Sequence, residues 1–202
     1  MELFLNSSSP YARMVRIMVL EKGLAEAVTL RWCDPWSDDP ALLEANPAAR
    51  IPALIADDGT ALGESLLIAF YLEGLGHGQP LIPASRLSEV LHLAGLGQGL
   101  MDAAFNTVIA RKHQGSEADA SVLGQRRKRA ITRLLDQLEL EPELDVPQAT
   151  TALTLADISV AVALDYLAFR LPEVSWAKDR PRLEAWHRRI TSTENVKTTA
   201  FQ

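Results

Sequence analysis

Cysteine is nearly absent from this chain of 202 residues: Cys33 stands alone. One thiol excludes an intrachain disulfide, a CxxC redox pair and a cysteine-rich zinc site. Histidine is scarce as well, four in all, and His92, His113 and His187 share no ligand spacing, so no metal site is expected. No stretch reaches the roughly 18 uncharged apolar residues that a membrane span requires. The start, Met1-Glu2-Leu3, has no basic segment followed by a long apolar run, so no secretory signal is expected and the cytoplasm is the default location. Positive charge is not in excess: 20 Lys and Arg face 26 Asp and Glu, a net charge of -6, which argues against non-specific nucleic-acid binding. Internal repeats and low-complexity segments are missing too.

What remains is an ordinary globular composition, 48% hydrophobic and 23% charged. The length suits one large domain or two small ones. Residues 1–80 hold 5 Lys and Arg against 11 Asp and Glu, whereas residues 81–202 hold 15 of each. That asymmetry agrees with two different domains.

The first stretch sets the pattern. Leu3-Phe4-Leu5 reads as a strand, and Pro10 to Lys22 as a helix stopped by Gly23. Ser9 carries a helix-capping side chain, and Pro10 sits where a missing N–H costs nothing. The free N–H groups and dipole of such a helix end attract an anion, a thiolate included. Ser9 is therefore either a plain cap or the pivot of a site at a strand-to-helix junction.

Ala27 to Arg31 reads as a second strand and Ala41 to Ala45 as a short helix ended by Asn46-Pro47. Ile51-Pro52 leads into a third strand. Asp57-Asp58-Gly59-Thr60 signals a hairpin into a fourth, Thr60-Ala61-Leu62. Glu64-Ser65 opens a helix that runs to about Glu73 and ends at Gly74 and Gly76. The order is β-α-β-α-β-β-α, a small mixed sheet covered by helices. Residues 77–84, rich in Gly and Pro, read as a linker.

Everything beyond is helical. From Arg86 to Arg111, Leu87, Val90, Leu91, Ala94, Met101, Phe105, Val108 and Ile109 recur at helical spacing. Gly95, Gly97 and Gly99 mark either a kink or close packing. A second helix spans Ala118 to Leu140, with Leu123, Ile131, Leu134, Leu135 and Leu138 on one face. Its run Arg126-Arg127-Lys128-Arg129 spreads around the turn and reads as a solvated face rather than a phosphate patch. Glu141 to Ala152 reads as a loop. Leu155 to Phe169 is apolar on nearly all sides, the mark of a central helix. Thr154 and Asp157 ahead of it have the spacing of a capping box, with Leu153 and Ile158 as its hydrophobic staple. A last helix covers Pro181 to Thr191, and the tail after Asn195 carries little signal.

Taken in order, Ser9-Pro10-Tyr11 at a strand–helix junction resembles the Cys-Pro-Tyr of the thioredoxin superfamily, with serine for the reactive cysteine. Ile51-Pro52 before the third strand resembles that superfamily's cis-proline. Glu64-Ser65 opens the next helix as in its glutathione-binding members, and an all-helical second domain follows. The whole chain looks like a bacterial-type glutathione S-transferase. The resemblance implies a thioredoxin-like α/β domain at residues 1–76, the linker at 77–84, and an all-α helical bundle at 85–202. It also implies the capping box and staple of that family's buried central helix.

The resemblance further implies glutathione as co-substrate, no metal, and a small hydrophobic electrophile as acceptor. A hydroxyl from Ser9 would stabilise the glutathione thiolate; Ser7, Ser8 and Tyr11 compete for that role. Ser65 and the helix N–H groups would hold the γ-glutamyl carboxylate, Glu64 its ammonium, and Ile51 beside Pro52 the cysteinyl amide. Arg50, Trp32 or His113 would meet the glycyl carboxylate. Met101, Phe105 and Tyr166 would line the acceptor pocket between the domains, although Met101 and Phe105 also fit a plain core. With serine in place of cysteine, disulfide exchange is disfavoured. The implied protein is a cytoplasmic homodimeric detoxification enzyme without nucleic-acid or membrane partners. A non-catalytic binding or stress-response protein of the same family, and a glutathione-dependent peroxidase or isomerase, remain as alternatives. A lone cysteine is usually a small buried hydrophobe, and Cys33 is given no catalysis.

Overall fold

Strand β1 (Glu2–Leu5) is the piece on which the first part of the chain assembles. In the computed structural model, which describes residues 1–142 and 153–202, β1 pairs in parallel with β2 (Thr29–Trp32) and antiparallel with β3 (Ala53–Ile55). Strand β4 (Ala61–Leu62) adds antiparallel to β3, for a sheet order β2-β1-β3-β4. The parallel pair follows from helix α1 (Pro10–Glu21), which carries the chain back to the start of β2. The β3–β4 hairpin turns at Gly59, whose φ of 85° only glycine adopts freely.

Side chains alternate across the sheet. Phe4 and Ala53 face helix α2 (Pro40–Ala45) and pack with Leu42 and Ala45. Leu3, Leu5 and Leu54 point the other way and are fully buried. There α1 packs against α3 (Ser65–Leu75).

The chain divides into two compact units, Met1–Leu81 with Asn195–Gln202, and Ile82–Glu194. The sequence reading grouped the tail with the helical part. Instead α8 (Glu194–Thr198) and the residues after it lie against α1. Arg13 is 5% exposed, donates to the Val196 carbonyl at 3.1 Å and stacks over the Phe201 ring at 4.6 Å. Asn195 donates to the Glu21 carboxylate at 3.0 Å. Burial strips the Arg13 guanidinium of most of its hydration. Burying Val196 and pairing a flat guanidinium with a ring outweighs its solvation.

The second unit is built from α4 (Leu87–Gln114), α5 (Val122–Leu140), α6 (Leu155–Arg170) and α7 (Pro181–Thr191). Helix α6 is buried on nearly every side. Helix α4 runs unbroken through its three glycines, and Gly97 shows what they do. A Cβ there would lie 2.8 Å from the backbone of Ser159 and Val160. Its absence brings the two helices together, and the Ser159 hydroxyl donates to the Ala94 carbonyl at 3.1 Å.

Helix α5 starts later than its periodicity predicts. Residues Ser116–Asp119 form a separate 3-10 turn, Ser121 caps the helix, and its Oγ accepts from the Gly124 N–H at 3.0 Å. Leu123, expected in the core, is 64% exposed, because this first turn sets Gly124 rather than Leu123 against the preceding 3-10 turn. Residues 143–152 of the expected loop lie outside the described residues. Among the described residues no helix is long and apolar enough to cross a membrane.

Candidate functional site at one end of the sheet

The strand directions decide which loops meet. Strand β1 ends at Leu5, and Phe4 lies opposite Ala53, the first residue of β3. Leu54 lies opposite Leu62, the last residue of β4. The exit of β1, the entry of β3 and the exit of β4 therefore share one end of the sheet. The Ser9 junction follows the first, Ile51-Pro52 precedes the second, and Glu64-Ser65 follows the third. The N-termini of α1 and α3, both positive dipole ends, start from that same end.

At the first junction Ser9 caps α1 with φ −79° and ψ 123°. Its Oγ accepts from the Ala12 N–H at 3.2 Å, and its carbonyl accepts from the Arg13 N–H at 3.0 Å. A hydroxyl has one proton and two acceptor lone pairs. Capping uses acceptor capacity alone, so the Ser9 proton stays available to an anion. The two readings of Ser9 are compatible. Ser9 is 8% exposed, Tyr11 and Ser8 are half-buried, and Ser7 is exposed.

At the second junction the Ile51–Pro52 peptide bond is cis. Asn46 shapes the approach to it. Its Nδ2 donates to the Arg50 carbonyl at 2.9 Å, and its Oδ1 accepts from the Ala48 N–H at 3.1 Å.

At the third, Glu64 occupies the cap position of α3 with φ 63° and ψ 120°, a conformation that strains any residue with a Cβ. No side chain caps α3. The strained backbone turns the Glu64 carboxylate to solvent, 3.7 Å from the Arg50 guanidinium, both side chains being largely exposed. Ser65, the first helical residue, is buried. A helix start without a capping side chain, next to a buried hydroxyl, suits a carboxylate ligand.

The remaining predicted residues fall elsewhere. Trp32 ends β2, half exposed, with the Arg16 guanidinium 5.5 Å from its ring. His113 is exposed near the end of α4. In the second unit, Met101 has no exposed surface and packs as core, and Tyr166 is nearly as buried, its phenol pushed up to about 12 by burial and only partly lowered by Arg170. Phe105 alone of the three keeps exposed surface. Cys33 is half-buried beside Phe4 and Leu42; burial, then Asp39, pushes its thiol up, which makes it a poor nucleophile. Among the described residues no group of His, Cys, Asp and Glu is arranged to hold a metal ion. Sequence reasoning missed Asn6 and Asn46 as organisers. Their signal was an Asn whose side chain can accept from an N–H two or three residues on.

Residues 8–75 match the family model described as the N-terminal domain of glutathione S-transferase, and residues 123–189 the one described as its C-terminal domain. The chain is 30% identical to the uncharacterized GST-like protein YibF of Escherichia coli K12, over 98% of both chains. It is 28% identical to a stringent starvation protein A homolog of Histophilus somni, over 65% of this chain and 59% of that protein. Among solved structures, a glutathione transferase family member from Pseudomonas fluorescens Pf-5 with bound glutathione superposes with a TM-score of 0.90. That protein is 35% identical, and the match covers 100% of this chain and 98% of the other.

Proposed function

This chain belongs to the glutathione S-transferase family, and from that premise we propose that it binds glutathione at the shared end of the sheet and activates its thiol. The observation that carries the reading is the meeting of the Ser9, Ile51-Pro52 and Glu64-Ser65 junctions at that end. The Ser9 hydroxyl donates a hydrogen bond to the glutathione sulfur while α1 presents its dipole; both favour thiolate over thiol, and the thiol proton leaves to solvent. The α3 N–H groups and Ser65 take the γ-glutamyl carboxylate, Glu64 its ammonium, the Ile51 backbone the cysteinyl amide, and Arg50 the glycyl carboxylate.

The thiolate, and no group of the protein, is the nucleophile. It attacks a small electrophile, forming a C–S bond as the leaving group departs with its electron pair. Phe105, with exposed surface on α4, is the acceptor-side candidate of the second unit. Two copies pair, the first unit of one against the second unit of the other. Exposed Leu67 and Phe70 on α3 and Leu87 and Leu91 on α4 support this, and sedimentation tests it. A cytoplasmic setting, where thiols stay reduced, suits the chemistry.

Calorimetry with glutathione and turnover of 1-chloro-2,4-dinitrobenzene test the reading together. We expect saturable binding and conjugation; no heat at millimolar glutathione sinks it. A second reading, a glutathione-binding stress-response protein without turnover, draws on the partial likeness to the stringent starvation protein A homolog. Binding without conjugation, peroxide reduction or isomerisation across an electrophile panel selects that one.

A further inference from the structure

Ser9 does not hold its own geometry. The carboxamide oxygen of Asn6 accepts from the Ser9 N–H at 2.8 Å and from the Ser8 N–H at 3.1 Å. Those two bonds close the loop between β1 and α1 and fix the Ser9 backbone in the extended conformation of a cap. From that backbone the Ser9 oxygen reaches the Ala12 N–H at 3.2 Å. Once a lone pair is committed to an N–H inside the helix, the hydroxyl proton can only leave in another direction. The chain of bonds runs from Asn6 through the Ser9 backbone to the Ser9 hydroxyl. Each link is short in sequence and partly or wholly buried.

Asn6 could instead be a plain loop former. Its neighbours argue for more. Asn6 directly follows Leu5, whose carbonyl accepts from the Cys33 N–H at 3.0 Å, so the base of the loop is anchored to the sheet. Pro10 holds the helix end of the loop at a fixed φ. Between those two fixed points the Asn6 carboxamide supplies the acceptor for both the Ser8 and the Ser9 N–H groups. Remove it and two N–H groups lose their acceptor at a half-buried site, which costs more than the bonds themselves contribute.

We infer that Asn6 is a positioning residue for thiol activation, acting through Ser9 by setting where its hydroxyl points. This rests on the reading of Ser9 as the donor to bound glutathione.

The test is a double-mutant cycle on the full-length protein with glutathione and 1-chloro-2,4-dinitrobenzene. Bound thiolate is followed by its ultraviolet absorbance as a function of pH. Asn6→Ala should lower kcat about tenfold, within the roughly 100-fold that a 1 Å misplacement can cost, and should raise the pH at which bound glutathione ionises. In a Ser9→Ala background the same change should add almost nothing, because its target is gone. Asn6→Ser, whose hydroxyl can accept from the same N–H groups, should recover part of the loss.

A purely structural role lowers the amount of folded protein without moving the ionisation midpoint. That outcome overturns the inference. So do losses that multiply in the double variant, and an Asn6→Ser protein no better than Asn6→Ala. If Asn6→Ala does not fold, the cycle with Asn6→Ser decides on the same terms. Failure of the parent reading looks different: Ser9→Ala itself then leaves turnover and the ionisation midpoint unchanged.

Discussion

Ser9 and Thr154 are both hydroxyl residues at the cap of a helix, and they are wired in opposite ways. Thr154 closes on itself. Its Oγ1 accepts from the Asp157 N–H at 3.3 Å and donates to the Asp157 carboxylate at 2.7 Å, while its own N–H donates to that carboxylate at 2.8 Å. Its hydroxyl proton is committed, so none is left for an anionic ligand. Ser9 has alanine, Ala12, where Thr154 has Asp157. Its hydroxyl caps the helix and keeps its proton. A reciprocal capping box would also have set a carboxylate beside any bound thiolate, a repulsion the site avoids. The third residue of the helix thus separates a cap that only holds a helix from one able to take part in chemistry.

The comparison breaks or sharpens under substitution. The largest effect expected is at the open cap. Ser9→Ala should lower kcat with 1-chloro-2,4-dinitrobenzene about 100-fold, in line with loss of one donor to a developing or bound anion. The glutathione Kd should stay within about threefold, since the donor acts on the thiolate rather than on binding as a whole. Equal turnover in the variant would falsify the distinction, and Ser9 would be a second Thr154.

Next comes the support of the closed cap. Gly97→Ala should destabilise the protein by about 1–3 kcal/mol, the usual range for overpacking, because the added methyl meets α6 backbone rather than a flexible side-chain end. Chemical denaturation reads it. A neutral result means that α4 and α6 are not held at their present spacing.

Thr154→Ala removes the closed cap itself and should cost about 0.5–2 kcal/mol, with turnover per folded molecule unchanged. Loss of activity at full folding would show that this cap too serves chemistry.

The smallest effect is a pH dependence. Burial lifts the Asp157 carboxyl above its ordinary range, and the bonds from Thr154 pull it only partly back. The folded state then holds that proton more tightly than the unfolded state does. The protonated group's contribution is fully present below the unfolded value and fades as pH rises through the raised folded value. Wild type should therefore lose stability relative to Asp157→Asn as pH climbs through that window. Denaturation at several pH values checks the slope, and a slope of the opposite sign means that the cap's hydrogen bonds outweigh burial.

Much of this was legible along the chain because the bonds concerned are local. The capping hydroxyls of Ser9 and Thr154, the carboxylate of Asp157 and the stop at Gly23 all act within three or four residues, so spacing alone identifies them. The roles of Gly97 and Arg13 were not legible. Gly97 matters because α6 lies against it, more than sixty residues on in sequence. Arg13 is buried because the last residues return to α1. Met101 and Phe105 share one periodic helix, yet only Phe105 keeps exposed surface; periodicity marks the apolar side of a helix without saying how far burial extends around it.

By itself, then, the sequence determined the order of strands and helices, the caps, the central helix and the family likeness. Each depends on short-range backbone chemistry or on an apolar pattern that any fold must bury. The direction in which β3 runs beside β1 was decided by tertiary structure alone, and with it the end of the sheet where Ser9, Pro52 and Ser65 gather. Strand pairing is a contact between distant segments, fixed only when the whole sheet finds its register.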